Sequence, residues 1–253
     1  KGWRIRLQAL ELMLARRHSE VIFNFMFDFI NRAASIRDPV IVSGLNVLIP
    51  HGNWRAKLDA AEFALGRPLT PDERKAILVD GFRESLSILG NYQYVAETTI
   101  LRPLSDRPLY CLFYATRHPK GIEVFRDCQV RALKEQSIAR AAVKLKHATA
   151  STGQQELFQS LHDMARDDLE SFLQVERQRA ENTLVELPPV APSFLPYQNL
   201  WPQVLARHVV RRAEVNKIAG RLRREGSLIF PDWERGKQIP QPHSRTQRPS
   251  IAS

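Results

Sequence analysis

Asn24 and Asp28 stand four residues apart where the apolar run "VIFNFMFDFI" turns polar. At the carboxyl end of a strand, an amide and a carboxylate so spaced can hold a substrate or take a proton from it. The same pair can serve local structure alone, with Asn24 satisfying backbone groups and Asp28 pairing with Arg32 one helical turn on. A second set lies in "TRHPKG". Pro119 suits the first position of a helix, whose leading amides point outward, and Arg117, His118 and Lys120 surround it. Cations beside free amides can clamp a phosphate or an acidic substrate. Equally, His118 and Pro119 can simply begin the helix, and a catalytic histidine would want a carboxylate partner. A third set is basic: Arg211, Arg212, Lys217, Arg221 and Arg224 fall on or beside one helical pattern, with Arg235 and Lys237 following. Lys217, Arg221 and Arg224, at i, i+4 and i+7, share a helix face. Such a face next to a basic turn would neutralise several phosphates and bind nucleic acid in a salt-sensitive way. A plain solvated surface is the competing account.

Other chemistries lack their residues. The chain contains no Ser-His-Asp motif, glycine-rich phosphate loop, HExxH or CxxC, which leaves hydrolase, P-loop and zinc readings with little support. Cys111 and Cys128 are two lone thiols in 253 residues. They fit a reducing, cytoplasmic compartment better than a disulfide framework.

These residues need elements to position them. Residues 4–17 are almost all strong helix formers, dense in apolar side chains. In "SEVIFNFMFDFINR", Val21, Phe23, Phe25, Phe27 and Phe29 alternate, and the other face, Ile22, Asn24, Met26, Asp28 and Ile30, is mixed. That pattern reads as a central parallel strand covered on both sides. Residues 35–92 differ in texture and read as a mostly helical insertion. Within them, Thr70, Pro71 and Glu73 form a helix-start signal of the capping-box kind. "YQYVAETTIL" and "PLYCLFYAT" flank the proline-bounded turn "RPLSDRP" and read as a hairpin. The second run is apolar on both faces, as a mid-sheet strand would be.

From 119 the pattern is helical again, and residues 135–186 form a charged helical connector. The four prolines of "LPPVAPSFLP", residues 187–196, read as a linker. Residues 197–240 then read as two helices, the second closed at Gly226. After them come a strand at "SLIF", a turn at "ERGK" and a returning strand, which together suggest a winged helix. The tail, residues 241–253, has the composition of a disordered segment.

The net charge is +10, and residues 201–253 carry eleven Lys/Arg against four Asp/Glu. Most of the excess therefore sits in the last module, which points to a polyanionic partner, most simply nucleic acid. No run of eighteen apolar residues occurs, so no membrane partner is expected.

The blocks "EVIFNFMFDFINR", "LYCLFYATRHPKGIEVF", "TGQQELF" and "LRREGSLIF", in this order and spacing, resemble the three-Cys-motif partner protein family (TcmP). The resemblance implies an α/β fold: residues 1–134 as the C-terminal half of a class I methyltransferase-like Rossmann sheet with a helical insertion at about 35–92, then connecting helices and a winged helix. It implies S-adenosylmethionine as cofactor of the intact protein, with none expected for this chain alone. It also implies a protein partner with three cysteines. "KGW" resembles the tail of the family's strand-four motif, without its Asp-Pro. That would place Gly2 and Trp3 on the substrate edge, with Trp3 able to stack on a flipped base or to pack in the core. Asn24 and Asp28 become the catalytic candidates on that edge. The competing expectation is a non-catalytic DNA-binding or protein-interaction module.

Overall fold

The computed structural model describes residues 7–152 and 158–249. The chain is a mixed α/β protein with small antiparallel sheets, and it divides into two compact units, Lys1–His118 and Pro119–Ser253.

In the first unit, a short helix α1 (Glu11–Leu14) precedes β1 (Val21–Phe25), α2 (Phe27–Ala34), α3 (Pro39–Leu48), α4 (Trp54–Leu65) and α5 (Pro71–Gly90). The hairpin β2 (Tyr94–Leu101) and β3 (Pro108–Thr116) closes it. The sheet order is β1-β3-β2, and both neighbours run antiparallel to β3. β1 and β2 are therefore parallel to each other, and their carboxyl ends share one edge of the sheet.

Among the described residues β1 pairs with β3 alone, and Ile22 and Asn24 on its outer face are exposed, so it is not the central, doubly covered strand expected. It pairs antiparallel with β3, Val21 opposite Ala115 and Phe25 opposite Cys111. It also ends early. Met26 leaves the extended region, and α2 begins at Phe27. Phe27, Ile30, Asn31 and Ala34 bury one helical face, so the phenylalanine alternation that looked like period two becomes period 3.6 at that point. Likewise, among the described residues of 4–17, only Glu11–Leu14 is α-helical, preceded by a single tight turn over Leu7–Leu10.

The core of this unit is a phenylalanine cluster. Phe82 of α5 lies 4.7 Å from Phe25 and 4.8 Å from Phe113, centroid to centroid, and 5.9 Å from Phe23. The region 39–90 is three helices with clear local causes. Asp38 caps α3 by accepting from the amides of Val40 and Ile41. Thr70 and Glu73 cap α5 reciprocally, and Arg67 grips Glu73 through two bonds of 2.9 and 2.8 Å. Those contacts, the Arg67 bonds first, hold the exposed Glu73 carboxyl at about 2, below its ordinary 4.5. Gly52 and Gly81 let α5 approach the turn before α4, since a Cβ on Gly52 would meet the Gly81 Cα at 2.7 Å.

In the second unit, the long helices α6 (Pro119–Thr152) and α7 (Phe158–Glu186) pack on α8 (Tyr197–Arg207), and α7 also packs on α9 (Arg212–Arg224). α6 runs unbroken through residue 134, and the second unit begins at its first residue, Pro119.

The expected β-wing after α9 does not form. Leu228–Ile239 makes turns, with Trp233 donating to the Lys237 carbonyl at 3.0 Å. Ile229 bridges Gln247 instead. The tail expected to be disordered is ordered as far as it is described, through 249. Its β5 (Arg245–Thr246) pairs with β4 (Leu195–Pro196). The amides of Tyr197 and Gln198 donate to Ser244 and Pro242. Backbone pairing needs no apolar side chains, which is why a polar tail can be held this way. The proline-rich stretch is fastened by the same contact, Ala191 donating to Arg248.

Candidate functional site

At the carboxyl end of β1 the first unit opens into a cavity of about 510 Å³. Its wall is apolar and aromatic: Phe23, Phe25, Phe29, Phe82 and Leu48 all contribute. Four polar residues complete the lining, Asn24, Asp28, Arg32 and Arg102. This volume and lining are those of a small-molecule site, largely apolar with few polar groups to fix orientation.

The elements explain the placement. Asn24 is the penultimate residue of β1, its backbone paired opposite Leu112 and its side chain exposed. Asp28 sits in the first turn of α2, where the helix dipole favours a carboxylate. Arg102 follows β2 at the same edge of the sheet. Its guanidinium lies 2.8 Å from Asp28, and Arg32 lies 3.5 Å from the same oxygen. Arg32 also donates to the Asp28 carbonyl at 3.3 Å. The local Asp28–Arg32 pair is thus present, and Arg102 joins it from 74 residues away. Asn24 and Asp28 both line the one cavity, as their spacing allowed. Gly2 and Trp3 lie outside the described residues.

Arg117 has a structural task. Its guanidinium donates to the carbonyls of Leu14, Arg16, Ser19 and Gly90, and it stacks on the Tyr92 ring at 4.4 Å. His118 places its backbone amide on Thr116 Oγ1 at 3.1 Å. Lys120, in the first turn of α6, pairs with Glu123 at 3.3 Å. Cys111 is fully buried, and burial pushes its thiol up to about 11, which keeps it protonated and poorly nucleophilic.

The basic cluster of the second unit separates into two groups. Arg212 stacks on Trp201 at 4.4 Å and pairs with Glu123 at 3.3 Å. Arg221 pairs with Glu181 of α7 and with Glu225. Arg211 approaches Glu214 at 3.7 Å and Lys237 approaches Glu234 at 4.0 Å, both on the surface. Lys217, Arg224 and Arg235 are exposed. Of the seven basic residues singled out from the sequence, these three have no ion pair among the described residues.

Sequence reasoning missed the polar joint between α8 and α9. Arg126, buried in α6, donates to the carbonyls of Leu205 and Ala206. Glu176 of α7 accepts from the Val209 amide at 2.9 Å. His208 Nε2 lies 2.7 Å from Thr183 Oγ1, and burial holds this histidine below its ordinary value. No motif announces these residues; only their burial does.

Among the described residues no group of His, Cys, Asp and Glu could hold a metal, and no helix is long and apolar enough to cross a membrane. The described residues do not fit a cradle for S-adenosylmethionine either. Their positive-φ glycines, Gly52, Gly66, Gly226 and Gly236, lie at helix ends and turns, and none follows a strand at the cavity edge. Compared with known proteins, the chain matches no family model, no curated protein and no solved structure.

Proposed function

We propose that this protein is a TcmP-like, S-adenosylmethionine-dependent methyltransferase-like protein that acts on, or is recruited to, nucleic acid. In this reading the described residues supply the acceptor side of the site and not the cofactor cradle. The observation that carries it is the cavity at the carboxyl edge of β1, lined by Asn24 and Asp28. Ligands of open α/β sheets gather beyond the carboxyl ends of parallel strands, and β1 and β2 end together there. The order β1-β3-β2, with an antiparallel strand between two parallel ones, fits the closing edge of a methyltransferase-type Rossmann sheet. The cofactor would supply an electrophilic methyl group. Asn24 would orient the acceptor through its amide, and Asp28 would accept a hydrogen bond or a proton from it. Arg32 and Arg102 hold that carboxylate in place.

In the second unit, α8, α9 and the following turns serve as a winged-helix-like recruiting module through Lys217, Arg224 and Arg235. A three-Cys-motif protein is the proposed protein partner. The second reading is a non-catalytic DNA-binding or interaction module. The two guanidiniums already engaged on Asp28 favour it, since they occupy the carboxylate that would have to meet an acceptor.

Labelled S-adenosylmethionine, incubated with nucleic acid and the protein expressed from its native reading frame, separates the two. Label in the nucleic acid that is lost in Asn24→Ala supports the enzyme. Nucleic-acid binding without transfer, and without binding of S-adenosylhomocysteine, supports the module.

A further inference from the structure

We propose that the cavity at the carboxyl edge of β1 binds one nucleotide unit, with the base against the phenylalanine wall and the phosphate at Arg32 and Arg102. This rests on the nucleic-acid reading above and specifies what that site takes. Three observations converge. The cavity, about 510 Å³, is of a size for a drug-sized ligand, and its walls are mostly apolar and aromatic. Phe25 and Phe82 are packed in the core, but Phe29 is 40% exposed and Phe23 half-buried, and exposed rings hold a base by stacking, whatever its sequence. Among the residues lining the cavity, two guanidiniums, Arg32 and Arg102, accompany one carboxylate, Asp28. Arg32 is 72% exposed and meets Asp28 at 3.5 Å from the carboxylate and 3.3 Å from the carbonyl, both long contacts, so it can turn to an incoming phosphate while Arg102 stays on Asp28 at 2.8 Å.

Asn24 adds the third element. It is exposed at the rim, and its amide offers both donors and an acceptor, the combination that reads a base edge. A purely apolar ligand would leave the rim cations unused, and inorganic phosphate would leave the aromatic wall bare. A nucleotide uses both. Within a nucleic acid the unit would have to be single-stranded or flipped out of the stack, as for other enzymes that act on bases.

Calorimetric titration of the full chain with nucleoside 5′-monophosphates, free nucleosides and inorganic phosphate tests the inference. Monophosphates should bind at least about tenfold more tightly than either part alone, since only they engage wall and rim together. Arg32→Met and Arg102→Met should each weaken the monophosphate and leave the nucleoside unchanged, and Asn24→Ala should alter the ranking among bases. Absence of monophosphate binding overturns the inference, as does binding that neither arginine variant weakens. Folding of each variant is checked by its circular dichroism, and Arg32→Met, at an exposed position, keeps the test decisive if Arg102→Met unfolds. A protein that transfers methyl groups but ignores monophosphates sinks this inference alone. One that binds monophosphates but transfers nothing sinks only the proposed chemistry.

Discussion

Arg117→Met should destabilise the first unit by about 3 kcal/mol. The side chain holds four backbone carbonyls, those of Leu14, Arg16, Ser19 and Gly90. Hydrogen bonds to a charged donor contribute about 1.5–3 kcal/mol each when buried. Here the residue is half-buried, and water can reach some of the carbonyls once it is removed, so the sum is far below four such bonds. Stacking on Tyr92 at 4.4 Å adds about 0.5–1 kcal/mol. A loss near 3 kcal/mol lowers the urea midpoint by about 1.5–2 M for a unit of this size. The assay is urea unfolding of the full chain, followed by amide exchange of β1 and β3 so that only the first unit reports. Arg117→Lys should recover less than half of the loss, because a point charge cannot fork among four carbonyls on two segments. An unchanged midpoint in Arg117→Met would refute the structural role. So would a loss of phosphate binding at wild-type stability.

Phe82→Ala should remove about 3–5 kcal/mol, since the ring is buried among Phe23, Phe25 and Phe113; thermal unfolding reads it directly. Gly220→Ala should also destabilise, because the new Cβ would meet the Gln238 carbonyl at 2.7 Å, and a shift of Ile239 amide exchange would locate the strain. Glu73 is held at about 2, below 4.5, so its stabilisation is whole above pH 4.5 and is lost as pH falls to about 2. The stability gap between wild type and Glu73→Gln should therefore close over that window. His208 is held below 6.5 by burial, with Glu176 opposing and Arg126, Arg207 and Arg179 reinforcing. Its contribution is present above pH 6.5 and lost as pH falls through the lowered value, so exchange of the Val209 amide should quicken on that descent.

Local signals in the sequence carried over where a short rule decides the geometry. The turn "RPLSDRP" between two apolar runs is the β2–β3 hairpin, and Thr70, Pro71 and Glu73 open α5. Gly226, at φ 76°, follows the end of α9. What escaped is non-local. Phe27 and Phe29 fit both periods in so short a run, and only the burial of Ile30 and Asn31 decides for a helix. Asn24 and Asp28 were legible as an edge pair, but Arg102 was not, because the hairpin register brings it there. The stripe of Lys217, Arg221 and Arg224 is real on the helix, yet Arg221 turns to Glu181 on another helix. The ordered tail is invisible to composition because backbone bonds hold it.

Amide exchange of the full chain with and without a single-stranded oligonucleotide tests the central claim most directly. Slowed exchange is expected in two places: from Asn24 through Arg32 at the cavity, and along α9 around Lys217 and Arg224. Binding that protects neither segment, or no binding at low salt, would contradict it.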